Sequence, residues 1–263
     1  YESQGASDCS VLLSHVPSRV TPAMSEFLDR PYEAVEVRTT LFQMSPSKAP
    51  GVDGFTAGFF QRHWDLLHDD VTQAVLGFLN GGDLPVGLND TSITLIPKVR
   101  HPQSISQYRP NALFPVLYKI AAKFITNRLR SLMDELISDE QSAFFPRCLI
   151  KDNILVAYES VHTMKRRKKG ENHMCTVKLD MMKAYDRVEW HCLESIVLKL
   201  GFSINLVRLI MNCATSVRFT VRANGELLPY FTPSRGLRQG CLASPFLFLL
   251  CAEGLSLLLN SYG

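Results

Sequence analysis

Several features that define specialised classes of protein are scarce or missing in this sequence. The seven cysteines are odd in number and include no Cys-x-x-Cys pair, which argues against a disulfide framework or structural zinc site and favours a reducing compartment. The histidines lack the spacing of metal ligands. The longest apolar run, at residues 246–251, is too short to span a bilayer, and no signal peptide is evident. We therefore expect no membrane partner and, where the chain is expressed, an intracellular protein of the nucleus or cytoplasm.

The composition that remains is that of an ordinary globular protein. Hydrophobic residues make up 46% and charged residues 20% of the 263 positions, enough apolar material to bury a core. The net charge of +3 is mildly basic, which is compatible with a nucleic-acid partner without establishing one. The chain begins at Tyr1 rather than at methionine and stops within a pattern at Gly263, so we expect both ends to be cut.

Periodicity and turn residues predict helices interleaved with a few strands, which indicates an α+β fold. Helices are predicted at residues 31–44, 60–79, 116–129, 152–165, 188–200 and 204–213, and after Ser244, which is placed to cap the last one. Strands are predicted at residues 92–97 and 175–181, and in a hairpin of residues 217–221 and 227–232 around Asn224-Gly225. Residues up to about Ser25, with Pro17 and Pro22 as breakers, and residues 101–110 are predicted to be irregular.

One predicted strand ends in a carboxylate. The segment VKLDMMKAYDRVEW, residues 177–190, places Asp180 at the end of a strand and just before a turn. A carboxylate at a sheet edge suits a metal site, because phosphoryl transfer by two divalent cations needs carboxylate oxygens to hold them. A helix cap or a solvated turn is the alternative interpretation for a lone aspartate there.

A second segment, RGLRQGCLASP at residues 235–245, has the composition of a ligand-binding loop. Two glycines flank Leu-Arg-Gln, so the backbone can approach a ligand closely. Gln239 can contact a nucleotide or template base, and Arg235 and Arg238 can meet phosphate. An ordinary glycine-bearing loop before a capped helix is the alternative.

Positive charge is concentrated in two places. The block KRRKK comprises Lys165, Arg166, Arg167, Lys168 and Lys169 and is a candidate phosphate-binding patch, with a solvated connecting loop as the alternative. A broader basic stretch between Lys98 and Arg130 is a candidate lining for a template channel.

Read together with the rest of the chain, these segments resemble a known family. From about Leu41 onward the sequence is similar, in order and spacing, to reverse transcriptases of the plant LINE (non-LTR retrotransposon) type. The strings that carry the resemblance are KAPGVDGF, LNDTSITLIPKV, YRP, VLYKIAAKFITNRL, ISDEQSAFFPR, DNILVAYE, PSRGLRQG and FLFLLCAEGLS.

The resemblance implies a right-hand polymerase fold and RNA-directed DNA synthesis. It implies an RNA template and DNA primer as partners, a dNTP as substrate and Mg²⁺ as cofactor. Residues 1–30 would be an irregular N-terminal segment, residues 31–174 an N-terminal extension and the fingers, and residues 175–263 a partial palm.

The resemblance also assigns roles by position. Asp180 would be the first metal-binding catalytic carboxylate, and Tyr185 the gate that disfavours a 2′-hydroxyl. Gln239 and Gly240 would lie beneath the incoming nucleotide, and Arg109 would reach its triphosphate. Asp186 is expected to be structural, as a cap for a helix that begins near Arg187.

Departures from the family pattern weigh against present activity. The family's third polymerase motif, an aromatic residue followed by any residue and Asp-Asp, is not found, and the one adjacent pair, Asp69-Asp70, is interpreted as solvated helix charge. Substitutions at Pro115, Cys148 and Leu242 also depart from the pattern. We therefore expect a C-terminally truncated domain without the thumb, inactive as this fragment. A non-catalytic nucleic-acid-binding remnant and a decayed gene product are the alternatives.

Overall fold

The computed structural model describes residues 2–3, 5, 8–138, 141, 150–166 and 176–261. Within these ranges the helices are α1 (Ser10–Ser14), α2 (Pro22–Asp29), α3 (Ala34–Phe42), α4 (Ala57–Arg62), α5 (Trp64–Leu79), α6 (Val116–Arg130), α7 (Met133–Leu136), α8 (Ile150–Arg166), α9 (Trp190–Leu200), α10 (Ile204–Thr215) and α11 (Ser244–Asn260). The strands are β1 (Asp90–Pro97), β2 (Tyr108–Leu113), β3 (Arg218–Ala223) and β4 (Glu226–Leu227). The predicted α+β class is confirmed.

The strands form one mixed sheet with the order β2-β1-β3-β4. β1 pairs antiparallel with β2 and parallel with β3, whose Arg218 lies opposite Asp90. The Arg218 guanidinium donates to both carboxylate oxygens of Asp90, from Nε at 2.8 Å and Nη2 at 2.7 Å. This bidentate pair fixes the register between strands that are far apart in the chain.

The hairpin signal is confirmed, although its second strand is shorter than predicted. Asn224 and Gly225 have φ values of 50° and 89°, the positive pair that a two-residue turn between twisted strands requires. β4 contains only Glu226–Leu227, after which Phe231 makes an isolated bridge to Phe219.

The strand predicted at residues 175–181 is wrong over the part that is described. Residues 176–181 form no strand, and Val177 and Leu179 are 72% and 65% exposed. Alternation gives a segment one apolar face, but a strand also needs a neighbour for its backbone groups, and the alternating pattern carries no information about that neighbour. Cys175 lies outside the described residues.

Sequence patterns also missed regular structure. Residues 108–113 fall partly in the predicted loop but form β2, an edge strand in which Pro110 is tolerated because no ladder donor is needed on the outer side. The N-terminal segment expected to be irregular contains α1 and α2. Pro22 begins α2 instead of breaking it, with the Thr21 hydroxyl accepting from the Met24 amide.

The core is formed mainly by helices packed around α6. Ile120 and Leu129 of α6, and Leu193 and Leu200 of α9, are fully buried. The predicted helices at residues 60–79, 116–129, 152–165, 188–200 and 204–213 are confirmed, the first with a break at His63. Gly201 ends α9 in the left-handed conformation, with φ of 100°. No helix in the described ranges is long and apolar enough to cross a membrane.

A buried arginine ties the N-terminal helices to α6. Arg128 is only 4% exposed, so it does not line a channel as the basic stretch had suggested. Its guanidinium donates to the carbonyl oxygens of Leu28, Arg30 and Pro31, and its central carbon lies 3.5 Å from the centre of the Tyr32 ring. These contacts satisfy the carbonyls exposed where α2 ends.

The sequence argued against a disulfide framework, and the described residues contain one disulfide. The structure joins Cys9, next to α1, to Cys192 in the first turn of α9. The odd number of cysteines and the lack of a Cys-x-x-Cys pair could not reveal this disulfide, because packing brings together two residues that are 183 positions apart. Of the other described cysteines, Cys213 and Cys241 are buried and Cys251 is half-buried.

Candidate active site

The two segments singled out in the sequence are joined by main-chain hydrogen bonds. The Gly236 amide donates to the Val188 carbonyl and the Leu237 amide to the Tyr185 carbonyl, each at 2.8 Å. The Trp190 indole Nε1 donates back to the Gly236 carbonyl at 2.8 Å. Residues 185–190 and 235–240 therefore behave as one platform, which we call the paired loops.

Tyr185 is held within this platform by a helix. Its ring stacks on Phe248 of α11, with the ring centres 5.0 Å apart and the planes 12° apart. Burial raises the pKa of the Tyr185 hydroxyl, so the side chain stays neutral at physiological pH. The stacking on Phe248 fixes the orientation of the Tyr185 ring.

Gln239 meets an unexpected partner. Its Nε2 donates to the Asp186 carboxylate at 3.3 Å. The prediction that Asp186 caps the next helix is wrong, because α9 begins at Trp190 and Asp186 lies within the 3₁₀ turn Tyr185–Arg187. The sequence could not reveal this hydrogen bond, because Asp186 and Gln239 are far apart in the chain. The resemblance to the family implied only that their two segments lie near each other.

Gly240 brings the paired loops against the edge strand that carries Arg109. A Cβ built on Gly240, whose φ is 95°, would lie 3.5 Å from the Ala112 carbonyl oxygen and 3.6 Å from the Asn111 Oδ1. Because side chains alternate along a strand, Arg109 and Asn111 share one face of β2. Arg109 is exposed there, opposite Ile96 of β1.

Asp180 is exposed beside an open groove of about 500 Å³. The groove is lined mainly by apolar side chains, which include Met181, Met182 and Phe248. Asp180 is the one carboxylate among the described residues that line it. One carboxylate does not fit a two-cation centre, because the mutual repulsion of two divalent ions needs several anionic oxygens.

The adjacent aspartates do not supply the missing ligands. Asp69 and Asp70 lie on α5, and the Asp69 side chain is 92% exposed with its nearest ionic contact to His68 at 3.3 Å. Their interpretation as solvated helix charges is confirmed.

The two arginines of the second segment have different surroundings. Arg235 pairs with Glu189 at 3.0 Å and is partly exposed. Arg238 is 6% exposed, lies 4.8 Å and 4.4 Å from the ring centres of Phe114 and Tyr118, and donates to Asn89. Its guanidinium thus faces the interior rather than the surface where a phosphate would bind.

The helix after the paired loops begins one residue earlier than predicted. Ser244 is the first residue of α11 and Ala243 is its N-cap, with no side-chain cap.

The basic block at residues 165–169 is described only in part. Lys165 and Arg166 are exposed at the end of α8, whereas Arg167, Lys168 and Lys169 lie outside the described residues. Cys148 also lies outside them. Pro115 fits its position as the N-cap of α6.

Comparison with known proteins gives a consistent set of relatives. Residues 96–262 match the family described as "Reverse transcriptase (RNA-dependent DNA polymerase)". The chain is 31% identical over 245 residues to the "Transposon TX1 uncharacterized 149 kDa protein" of Xenopus laevis, covering 93% of this chain and 18% of that protein. It is 25% identical over 256 residues to the "RNA-directed DNA polymerase from mobile element jockey" of Drosophila melanogaster, covering 91% and 27%.

A third relative is the "Retrovirus-related Pol polyprotein from type-1 retrotransposable element R2" of Popillia japonica. It is 26% identical over 230 residues, which are 85% of this chain and 31% of that protein. The chain therefore spans between 18% and 31% of the length of these three relatives.

Proposed function

This chain belongs to the reverse transcriptase family, and on that premise we propose that it works as part of an RNA-directed DNA polymerase of a non-LTR retrotransposon. Its relatives come from non-LTR elements, and its mixed sheet and helices are those of a reverse transcriptase domain. The finer placement in the plant LINE type, with fingers at residues 31–174 and a partial palm at residues 175–263, rests on the ordered motifs of the sequence.

The observation that carries the proposal is the main-chain joining of residues 185–190 to residues 235–240. It brings Tyr185 and Gln239 to one platform, beside which Gly240 leaves room against β2. The Tyr185 ring would pack against the sugar and exclude a 2′-hydroxyl, which selects a dNTP. Gln239 and Gly240 would support the incoming base pair, and Arg109 would reach the triphosphate.

Among the described residues that line the groove, Asp180 is the one that would contribute a carboxylate to a Mg²⁺ site, and it does not complete that site by itself. The ion would neutralise charge that develops on the phosphoryl oxygens, but its remaining carboxylate ligands are not among the described residues of the groove. A protein that binds nucleic acid without catalysis is the second candidate function, and this single carboxylate favours it.

The template and primer would be held by exposed cations. Lys165 and Arg166 would contact phosphate at the end of α8, and Arg235 would do so at the paired loops. The sequence adds Arg167, Lys168 and Lys169 to this proposal, and these three lie outside the described residues. Arg238 is not among these proposed phosphate contacts, because its guanidinium is buried.

Binding of an RNA–DNA hybrid tests this proposal directly. We expect the 263-residue polypeptide to lose affinity steeply between 50 and 200 mM salt, because each neutralised phosphate releases a counterion, by about tenfold or more for three or more contacts. Lys165→Ala with Arg166→Ala should lower the slope of log affinity against log salt by about two. Fluorescence anisotropy with a labelled hybrid measures both.

The matched control removes the same charge elsewhere. Arg62→Ala with Lys199→Ala neutralises two exposed cations on α4 and α9 and should leave the salt slope unchanged. Binding that does not respond to salt, or equal losses in both double variants, would count against a phosphate-binding role for the basic block.

A further inference from the structure

The N-terminal segment is joined to Glu189 of the paired loops, and to residues next to the paired loops, by two hydrogen bonds and a disulfide. The Ser3 amide donates to the Ser234 hydroxyl at 2.7 Å, and the Ser3 hydroxyl donates to the Glu189 carboxylate at 2.8 Å. Glu189 is the partner of Arg235, so the N-terminal segment reaches the ion pair that borders the paired loops. The Cys9–Cys192 disulfide is the covalent part of this attachment.

The helix next to the disulfide is poorly anchored by itself. α1 has five residues, none of which is buried. Its Leu12 rests on α11 where a glycine makes room: a Cβ built on Gly254 would lie 2.8 Å from Leu12 Cδ2. A helix of little more than one turn has almost no intrinsic stability, so its position depends on the disulfide and on the packing of Leu12 and Leu13 against the core.

A histidine lies beside the sulfur atoms. His191 Nε2 is 3.7 Å from Cys9 Sγ, and one ligand-type atom each of Cys9, His191 and Cys192 lies within 4.8 Å of the others. All three side chains are half-buried, so a small thiol can reach them. An imidazole at this distance can exchange a proton with a departing thiolate, which is the arrangement found around reactive cysteines.

We propose that Cys9, His191 and Cys192 form a reversible disulfide site that, when oxidised, holds the N-terminal segment against Glu189 of the paired loops. The partner is a low-molecular-weight thiol or its disulfide, of the glutathione class. This site is independent of polymerase activity, because it needs only the fold and the three side chains.

The exchange chemistry balances with two such thiols. As the sulfur of the first thiol attacks Cys192 Sγ, its proton passes to the His191 imidazole; the Cys9–Cys192 bond breaks, its electron pair leaves on Cys9 Sγ, and His191 passes the proton to that sulfur. The second thiol attacks the external sulfur of the mixed disulfide, the bond to Cys192 Sγ breaks, and its electron pair leaves on Cys192 Sγ, which takes up the proton that the second thiol gives up. The external disulfide is released and Cys192 becomes a thiol. The protein gains two electrons and two protons, and oxidation is the reverse sequence.

Thermal unfolding of the oxidised and reduced 263-residue polypeptide measures the attachment. We expect reduction to lower Tm by about 10 °C, since the bond closes a long loop in the unfolded chain. Cys9→Ser, Cys192→Ser and the double variant should each match the reduced wild type and ignore reductant. Val11→Ser, at an exposed position of α1, should keep the full response to reductant.

Two further measurements distinguish a disulfide that is reduced and reoxidised by small thiols from one that only stabilises the fold. Hydrogen exchange at the amides of Gly236 and Leu237 should lose protection on reduction in the wild type but show no further change in Cys9→Ser. His191→Gln should slow reduction by glutathione while leaving the oxidised Tm unchanged.

Peptide mapping by mass spectrometry decides the outcome. A Cys9–Cys192 linked peptide that appears with oxidised glutathione and disappears with reduced glutathione supports the proposal. Absence of that peptide, or unchanged protection of Gly236 and Leu237 on reduction, overturns it. Stoichiometric Zn²⁺ binding by the reduced protein that depends on Cys9 and blocks reoxidation also overturns it, because the three side chains would then be a metal site.

Discussion

Asp180→Asn is expected to lower RNA-templated primer extension by about a thousandfold, or about 4 kcal/mol of activation free energy. The enzyme for this measurement joins the 263 residues to a C-terminal segment that carries an aromatic-x-Asp-Asp motif. The amide cannot replace the carboxylate charge that a divalent cation requires. Because Asp180 is exposed, the variant should unfold at the same temperature as the parent.

Two controls make the result specific. Asp69→Asn changes another exposed aspartate, in the adjacent pair on α5, and it should retain full extension. The 263-residue polypeptide alone should give no extension above background, since its groove has one described carboxylate. Mg²⁺-dependent synthesis by that polypeptide, abolished by Asp180→Asn, would show that the catalytic ligands are already present.

Arg128→Met is expected to cost about 3–5 kcal/mol of unfolding free energy. The substitution fills much of the same space but removes the donors for the carbonyls of Leu28, Arg30 and Pro31. It also leaves Glu36, whose carboxylate lies 3.7 Å from the guanidinium, with one fewer cation. Urea denaturation monitored by circular dichroism should show a lower midpoint with an unchanged m-value.

The matched control lies two residues away on the same helix. Arg130 is exposed, and its central carbon is 5.7 Å from the Phe246 ring centre, so Arg130→Met should cost less than about 1 kcal/mol. Equal losses in the two variants would mean that Arg128 contributes through helix propensity or surface charge rather than through its carbonyl contacts.

Local signals predicted the parts of the fold whose causes are local. The apolar stripe of α9 and the left-handed Gly201 after it could be read directly, as could the Asn224-Gly225 turn. The strand predicted around Asp180 failed because alternation specifies a face but not a pairing partner. β2 was missed for the complementary reason, because β1 supplies the pairing that its own sequence barely suggests.

In the candidate site, too, the sequence predicted the local features and missed those that depend on contacts between distant segments. The two segments were recognisable from their residues and order, and the structure brings Tyr185 and Gln239 together. The Asp186 bond to Gln239, the burial of Arg238 and the Cys9–Cys192 disulfide all depend on packing between segments far apart in the chain. No local pattern of residue types carries that information, so these features required the three-dimensional structure.

The parallel pairing of β1 with β3 has a consequence for how the chain acquires its structure during synthesis. β1 and β2 can pair as soon as both have left the ribosome, but β1 must wait for Arg218 before its other edge is covered. Loop closure over such a separation is slow relative to helix formation, so α6 to α10 form while one edge of β1 is still open. An open edge recruits other strands, which makes this interval the time when a nascent chain is most prone to aggregate.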